Sequence, residues 1–176
     1  MPSRKRRKGA MSKALKARAQ EIIRLARERK MTLATVESCT AGTLAHLLSH
    51  PEGASDVLHG GFIVYTKENK TAAVGVPEAL LEKHTAVSAE VAKAMAVGGL
   101  ERCPATIVAA ITGVAGPEPD EDGNPVGLVF VAACARDGRV KAARHEFGKE
   151  DKDRICSAAL GAALDLMEDL LRAHVP

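Results

Sequence analysis

Apolar residues Leu15, Ala19, Ile22, Ile23 and Ala26 recur every three or four positions, so residues 13–29 are expected to form an amphipathic helix. The period then shortens. Residues 32–36 form a β-prone run, and Glu37-Ser38-Cys39-Thr40 leads into a second helix that ends near His50, where Pro51-Glu52-Gly53 breaks it. Residues 57–66 read as a strand whose paired Gly60-Gly61 allows close backbone approach or a bulge. Pro77 opens a short helix, and Ser88 caps another that buries Val91, Ala94, Met95 and Gly98. Residues 105–111 are almost continuously apolar, the pattern of a central strand covered on both faces. Residues 126–135 and 140–147 flank Arg136-Asp137-Gly138-Arg139, a hairpin turn. A last helix starts near Asp151 and carries Ile155, Ala159, Ala162, Leu166 and Leu170 on one stripe.

Helices and strands alternate first and a hairpin follows. That order predicts a three-layer α/β/α sandwich around a mixed, mostly parallel sheet of about five strands. The 176 residues suffice for one domain with a sizeable core, and neither a repeat nor an interdomain linker interrupts them. Residues 12–176 are therefore expected to form a single domain, preceded by a basic, disordered tail over residues 1–11.

Composition and charge narrow the function. Aromatic residues make up 2% of the chain and Trp is absent, which argues against a platform for stacking single-stranded bases. The net charge of +3 is set by Arg4-Lys5-Arg6-Arg7-Lys8; without that run the remaining chain is slightly acidic. Nucleic acid is an expected partner only through the basic tail. Cys39, Cys103, Cys134 and Cys156 are scattered without a C-x-x-C pair, as for reduced thiols of a cytosolic protein. No apolar run reaches the ~18 residues of a membrane span and no signal-peptide core follows the basic start, so a soluble, cytoplasmic protein is expected.

Three polar clusters fall at strand ends, where open α/β sheets bind ligands. At Glu37-Ser38-Cys39-Thr40 the hydroxyls suit either of two roles: capping the following helix, or facing a ligand with that helix's N-terminus supporting negative charge. Tyr65, the only tyrosine, stands with Lys67 and Lys70 just past the end of the second strand. The turn Thr112-Gly113-Val114-Ala115-Gly116-Pro117 has glycines whose backbone N–H groups can approach an anion, yet it is neither a Walker loop nor a dinucleotide fingerprint. No metal is expected. Asp120, Asp122 and Asn124 mimic the start of an EF-hand, but Pro125 and Val131 occupy its glycine and closing-glutamate positions. His145-Glu146 is followed three residues on by Lys149, so no H-E-x-x-H forms. The acidic stretch 118–122 is accordingly read as an exposed loop.

Together these segments resemble one family. Thr35-Val36-Glu37-Ser38-Cys39-Thr40-Ala41-Gly42 resembles the A-E-S-C-T-G-G segment of the CinA C-terminal domain family, and Gly60-Gly61-Phe62-Ile63-Val64-Tyr65-Thr66 with Lys70 resembles its G-G-x-x-x-Y-S-N-x-x-K. Gly75-Val76-Pro77, His84-Thr85-Ala86-Val87-Ser88, residues 112–117 and Pro125-Val126-Gly127 follow in the family's order. The resemblance covers residues 32–147. It implies a stand-alone nicotinamide-nucleotide amidase, commonly a homodimer, that converts nicotinamide mononucleotide and water to nicotinate mononucleotide and ammonia without cofactor or metal. It further implies Ser38 as nucleophile, Lys70 as its base and Tyr65 as oxyanion donor or lysine support. Thr112, Gly113 and Gly116 would hold ribose and phosphate, with Glu37 and Thr40 also at the substrate. Two departures stand out. The family's glycines become Pro119-Asp120-Glu121-Asp122, and its F-x-G-D-R segment becomes Phe147-Gly148-Lys149-Glu150-Asp151-Lys152-Asp153-Arg154, leaving Lys152 or Arg154 to replace a phosphate-binding arginine. Rival readings are Cys39 as the nucleophile, a nucleotide-binding module without catalysis, and a competence- or DNA-damage-associated accessory protein.

Overall fold

A computed structural model describes residues 11–173, so the basic run Arg4–Lys8 lies outside the described residues. The elements are α1 (Lys13–Glu28), β1 (Leu33–Glu37), α2 (Thr43–Ser49), α3 (Ala54–Val57), β2 (Leu58–Ile63), α4 (Lys67–Val74), α5 (Glu78–His84), α6 (Ala89–Arg102), β3 (Ile107–Gly113), β4 (Leu128–Ala135), β5 (Val140–Glu146) and α7 (Lys152–Arg172). They form a three-layer α/β/α sandwich on a five-stranded sheet of order β2-β1-β3-β4-β5.

β1 pairs in parallel with both β2 and β3, whereas β3–β4 and β4–β5 are antiparallel. Parallel and antiparallel pairings are thus equal, and the sheet is mixed rather than mostly parallel. The reason is local: helical crossovers serve only the first three strands, and the chain returns from β3 and from β4 without a helix, which permits only antiparallel neighbours.

Alternation along the buried strands divides the core between the two faces. Leu33, Ile107, Ile111, Val129 and Val131 pack against α1, α2 and α7. Ala34, Val36, Val108, Ala110 and Ala132 face α4, α5 and α6. Small residues let this second layer come close. A Cβ on Gly98 of α6 would stand 1.7 Å from the Val74 carbonyl oxygen, so α6 and α4 touch backbone to backbone.

The strand expected over 57–66 is shorter. It begins after α3 and ends at Ile63, with a register shift where Ala34 pairs with Gly60 rather than His59. Gly61 is the close approach, since a Cβ there would meet Thr35 Oγ1 at 2.2 Å. Residues 67–74, left unassigned by the hydrophobic pattern, form α4. Its buried positions are Lys70 and Val74, so the apolar stripe that marks a helix is interrupted by a lysine. Cap signals were nonetheless present: Thr66 Oγ1 accepts from the Asn69 N–H, and Gly75 ends the helix at φ 70°.

Candidate active site

Ser38 is the first residue beyond β1, and its N–H donates to the Ile111 carbonyl at 3.0 Å, tying the turn to β3. The chain reverses through Ala41 (φ 47°) and Gly42 (φ 94°), both in the left-handed region, before entering α2. Glu37 is fully buried on the α1/α2/α7 side of the sheet. Its carboxyl group accepts from the N–H groups of Gly42 (3.1 Å), Leu44 (2.9 Å) and Ala45 (2.8 Å), and from the hydroxyls of Thr40 (2.6 Å) and Thr35 (3.1 Å). The unpaired donors at the start of α2 are therefore taken by Glu37. Two consequences follow. The N-terminus of α2 is not open to a ligand, and Ser38 has no capping duty. Neither Glu37 nor Thr40 lines the cavity described below.

Ser38 points to the opposite face, toward α4. There Lys70 is 1% exposed, and its Nζ donates to Ser38 Oγ at 3.0 Å, to the Val64 carbonyl at 3.0 Å and to the Tyr65 carbonyl at 3.4 Å. Burial pulls the Lys70 pKa down from 10.5 to about 8, and the nearby charge of Lys67 acts in the same direction. At neutral pH roughly a tenth of such an amine is unprotonated, against less than about one part in a thousand for an ordinary lysine. The hydroxyl and the amine are thus in hydrogen-bond reach, an arrangement in which a neutral amine can take a hydroxyl proton.

A cavity of about 430 Å³ opens above the pair, within the usual range for small-ligand sites. Ser38, Tyr65, Lys70, Thr112, Gly113 and Gly116 all line it. Tyr65 holds Lys70 through its backbone carbonyl, while the residue itself is 59% exposed at the rim. Thr112, fully buried, donates its hydroxyl to the Ala86 carbonyl at 2.8 Å and so joins β3 to the segment leading into α6. The backbone N–H groups of Thr40, Ala115 and Gly116 make no hydrogen bond among the described residues, and that of Cys39 reaches only its own thiol. Those of Cys39, Ala115 and Gly116 belong to cavity-lining residues.

Lys152 and Arg154, at the start of α7, are not brought to this cavity. Arg154 pairs with Glu150 at 2.9 Å and Asp151 at 3.6 Å. Lys152 borders a separate depression of about 330 Å³ with Cys39, Thr40 and Cys156. Cys39 is buried, and burial pushes its thiol up to about 12, so it stays protonated at neutral pH and is a poor nucleophile.

The acidic stretch 118–122 is a largely exposed loop, as expected from the sequence, and it also walls the cavity. Glu118, Asp120, Glu121 and Asp122 line it, and Lys67 of α4 holds Glu121 and Asp122 at 2.8 Å each. Nothing in the sequence pattern marks this contact, because Lys67 and Asp122 lie 55 residues apart. Among the described residues no group of three or more His, Cys, Asp or Glu is placed to hold a metal ion, and no helix is long and apolar enough to cross a membrane.

Comparisons with known proteins agree with this architecture. The CinA-like protein of Geobacter metallireducens is 39% identical over 153 residues, covering 87% of this chain and 37% of that protein. The CinA-like protein of Frankia casuarinae is 42% identical over 150 residues, covering 85% and 34% respectively. The chain thus spans about a third of the length of these relatives. Among solved structures, the competence/damage inducible protein CihA from Agrobacterium tumefaciens superposes with a TM-score of 0.88 at 34% identity, over 93% of this chain and 99% of that one. A CinA superfamily protein from Escherichia coli gives 0.84 at 30% identity, over 97% and 99%. The family model of the CinA C-terminal domain matches residues 15–171, and the chain belongs to that family.

Proposed function

We propose that this chain is an amidohydrolase acting on the carboxamide of a ribosylated nicotinamide, with nicotinamide mononucleotide as the substrate implied by its sequence resemblance. The observation that carries the reading is the 3.0 Å contact between the Lys70 amine and the Ser38 hydroxyl in a buried setting that favours the neutral amine. In the reaction, neutral Lys70 accepts the Ser38 proton as Oγ bonds to the carboxamide carbon. The carbonyl oxygen takes up negative charge, and the N–H of Cys39, the cavity-lining residue next to Ser38, is the donor closest in sequence to meet it. Lys70 then returns its proton to the departing nitrogen, which leaves as ammonia. Water, activated by the same amine, opens the acyl-serine to give the carboxylate and restore Ser38. Tyr65 supports Lys70 through its main chain, and Thr112 with Gly113 and Gly116 forms the wall against the remainder of the substrate.

Release of ammonia from nicotinamide mononucleotide, followed for the parent chain and for Ser38→Ala and Lys70→Met, tests this reading. Turnover in the parent and losses of at least ~100-fold in both variants, with folding retained, are expected. A parent chain that releases no ammonia from any ribosylated nicotinamide, or a Ser38→Ala variant as active as the parent, contradicts it.

A further inference from the structure

Lys67 is the first residue of α4, three positions before Lys70, and its contacts cross the cavity mouth. Its Nζ donates to Asp122 Oδ1 at 2.9 Å and lies 2.8 Å from Glu121 Oε1. Those carboxylates push its pKa further above the ordinary lysine value, so the amine stays charged. The segment it grips is built as one unit. Asp120 accepts from the N–H groups of Asp122 (3.1 Å) and Asn124 (2.8 Å) and from the Asn124 side chain (2.8 Å). The Asp120 carbonyl accepts in turn from the Gly123 N–H at 3.0 Å. A second tether runs from the Asn124 side chain to Thr85 Oγ1, at 3.3 Å. Left-handed glycines flank the unit, Gly116 at φ 83° and Gly127 at φ 90°. Residues 117–126 therefore form a preformed strap, tied across the cavity to the helix that carries Lys70. In the family's G-G-x-x-x-Y-S-N-x-x-K segment the position of Lys67 is an asparagine, and the family's glycines stand where residues 119–122 are here acidic. Two departures of opposite charge thus meet in space.

Resting on the proposed amidase function, we infer that Lys67 is a positioning residue: its ion pairs hold the strap over the cavity, and the closed strap sets how tightly substrate is held while Ser38 and Lys70 break the amide. The Asp122 side chain is only 23% exposed, so its pair with Lys67 is better shielded than an ordinary surface ion pair. The strap follows directly on Ala115 and Gly116, which line the cavity. Releasing it frees that wall to move and leaves the Ser38–Lys70 contact in place.

Hydrogen exchange and steady-state kinetics on the intact chain test the inference. In Lys67→Met the amides of Asp122, Gly123 and Asn124 should exchange about fivefold faster than in the parent. Salt at about 0.5 M should speed the same amides in the parent and not in the variant. With nicotinamide mononucleotide at about pH 9, where Lys70 is largely neutral, KM should rise at least about fivefold while kcat stays within about twofold. Glu121→Gln/Asp122→Asn should reproduce both effects from the side of the strap, and Lys67→Arg should restore parent values. Parent exchange rates in Lys67→Met, an unchanged KM, a loss confined to kcat, or an arginine variant no better than the methionine one overturns the inference. Ammonia release separates the two readings. A parent chain that releases none removes the amidase and leaves the strap to the exchange rates alone: faster exchange in both charge-removing variants upholds it, and parent rates end it.

Discussion

Replacing Lys70 by Met keeps the aliphatic length of the side chain and removes the ammonium, so it isolates the effect of burying that charge. In the folded chain Lys70 gives up its proton near pH 8, whereas the unfolded chain holds it to about 10.5. Between those values the unfolded state binds more protons, so stability rises with pH across that window. Each pH unit is worth about 1.4 kcal/mol, and the full rise is about 3 kcal/mol. Below pH 8 both states are protonated and the contribution is flat; there the buried ammonium weakens the fold by its full amount. Above 10.5 both are neutral and the penalty is gone.

The variant has no such group. Its loss of hydrogen bonds to Ser38 and Val64 is the same at every pH, so subtracting the two stability curves removes it. Urea unfolding of both proteins at intervals from pH 7 to 10.5 should show the parent gaining about 3 kcal/mol on the variant, mostly above pH 8. The same ionisation should appear in catalysis, with kcat/KM climbing toward a plateau above about pH 8 as the base becomes neutral. A difference that stays flat from pH 7 to 10.5 would falsify the burial argument, because Lys70 would then titrate alike in both states.

Other substitutions probe the scaffold. Glu37→Gln turns an acceptor of five hydrogen bonds into a group that presents an amide to the N–H donors of α2, and should lower stability by about 2–4 kcal/mol in urea unfolding. Gly98→Ala forces a methyl group against the Val74 carbonyl and should cost more than about 3 kcal/mol, read as a fall in Tm. A Tm change under about 2 °C would show that α4 and α6 separate easily. Cys39→Ala, or treatment of the parent with a thiol alkylator, should leave ammonia release within about twofold, since the buried thiol stays protonated. Loss of activity by the alanine variant with its fold intact would reinstate the sulfur as a participant.

What the sequence makes legible follows from which physical signal each element carries. β3 is covered on both faces and so reads as an almost continuous apolar run. α1 and α7 each cover one face and show the helical stripe. α4 carries neither signal, because one of its buried positions is filled by Lys70; in this chain the element most important for the proposed chemistry is the one hidden by it. The acidic wall was hidden for another reason. Residues 118–122 carry the composition of a solvated loop, and long-range contacts, the ion pairs to Lys67 among them, hold that loop over the cavity.

Ser38 and Glu37 show how far a single register matters. They are adjacent polar residues at the end of one strand, and by composition either could cap α2 or face a ligand. Strand alternation decides between them. Leu33 belongs to the α1/α2/α7 core and Ala34 and Val36 to the α4/α5/α6 core, so Glu37 falls beneath α2 and Ser38 toward Lys70. The same alternation places Cys39 back in the first core, away from the lysine's hydrogen bonds. A slip of one residue would bury the serine under α2, leave the helix donors without the carboxyl group and set Glu37 against Lys70 as an ion pair. That pair would hold the amine protonated and end its use as a base. The backbone bond from Ser38 to Ile111 and the five hydrogen bonds to Glu37 oppose that slip, so the carboxyl group that never reaches the cavity keeps the serine hydroxyl in it.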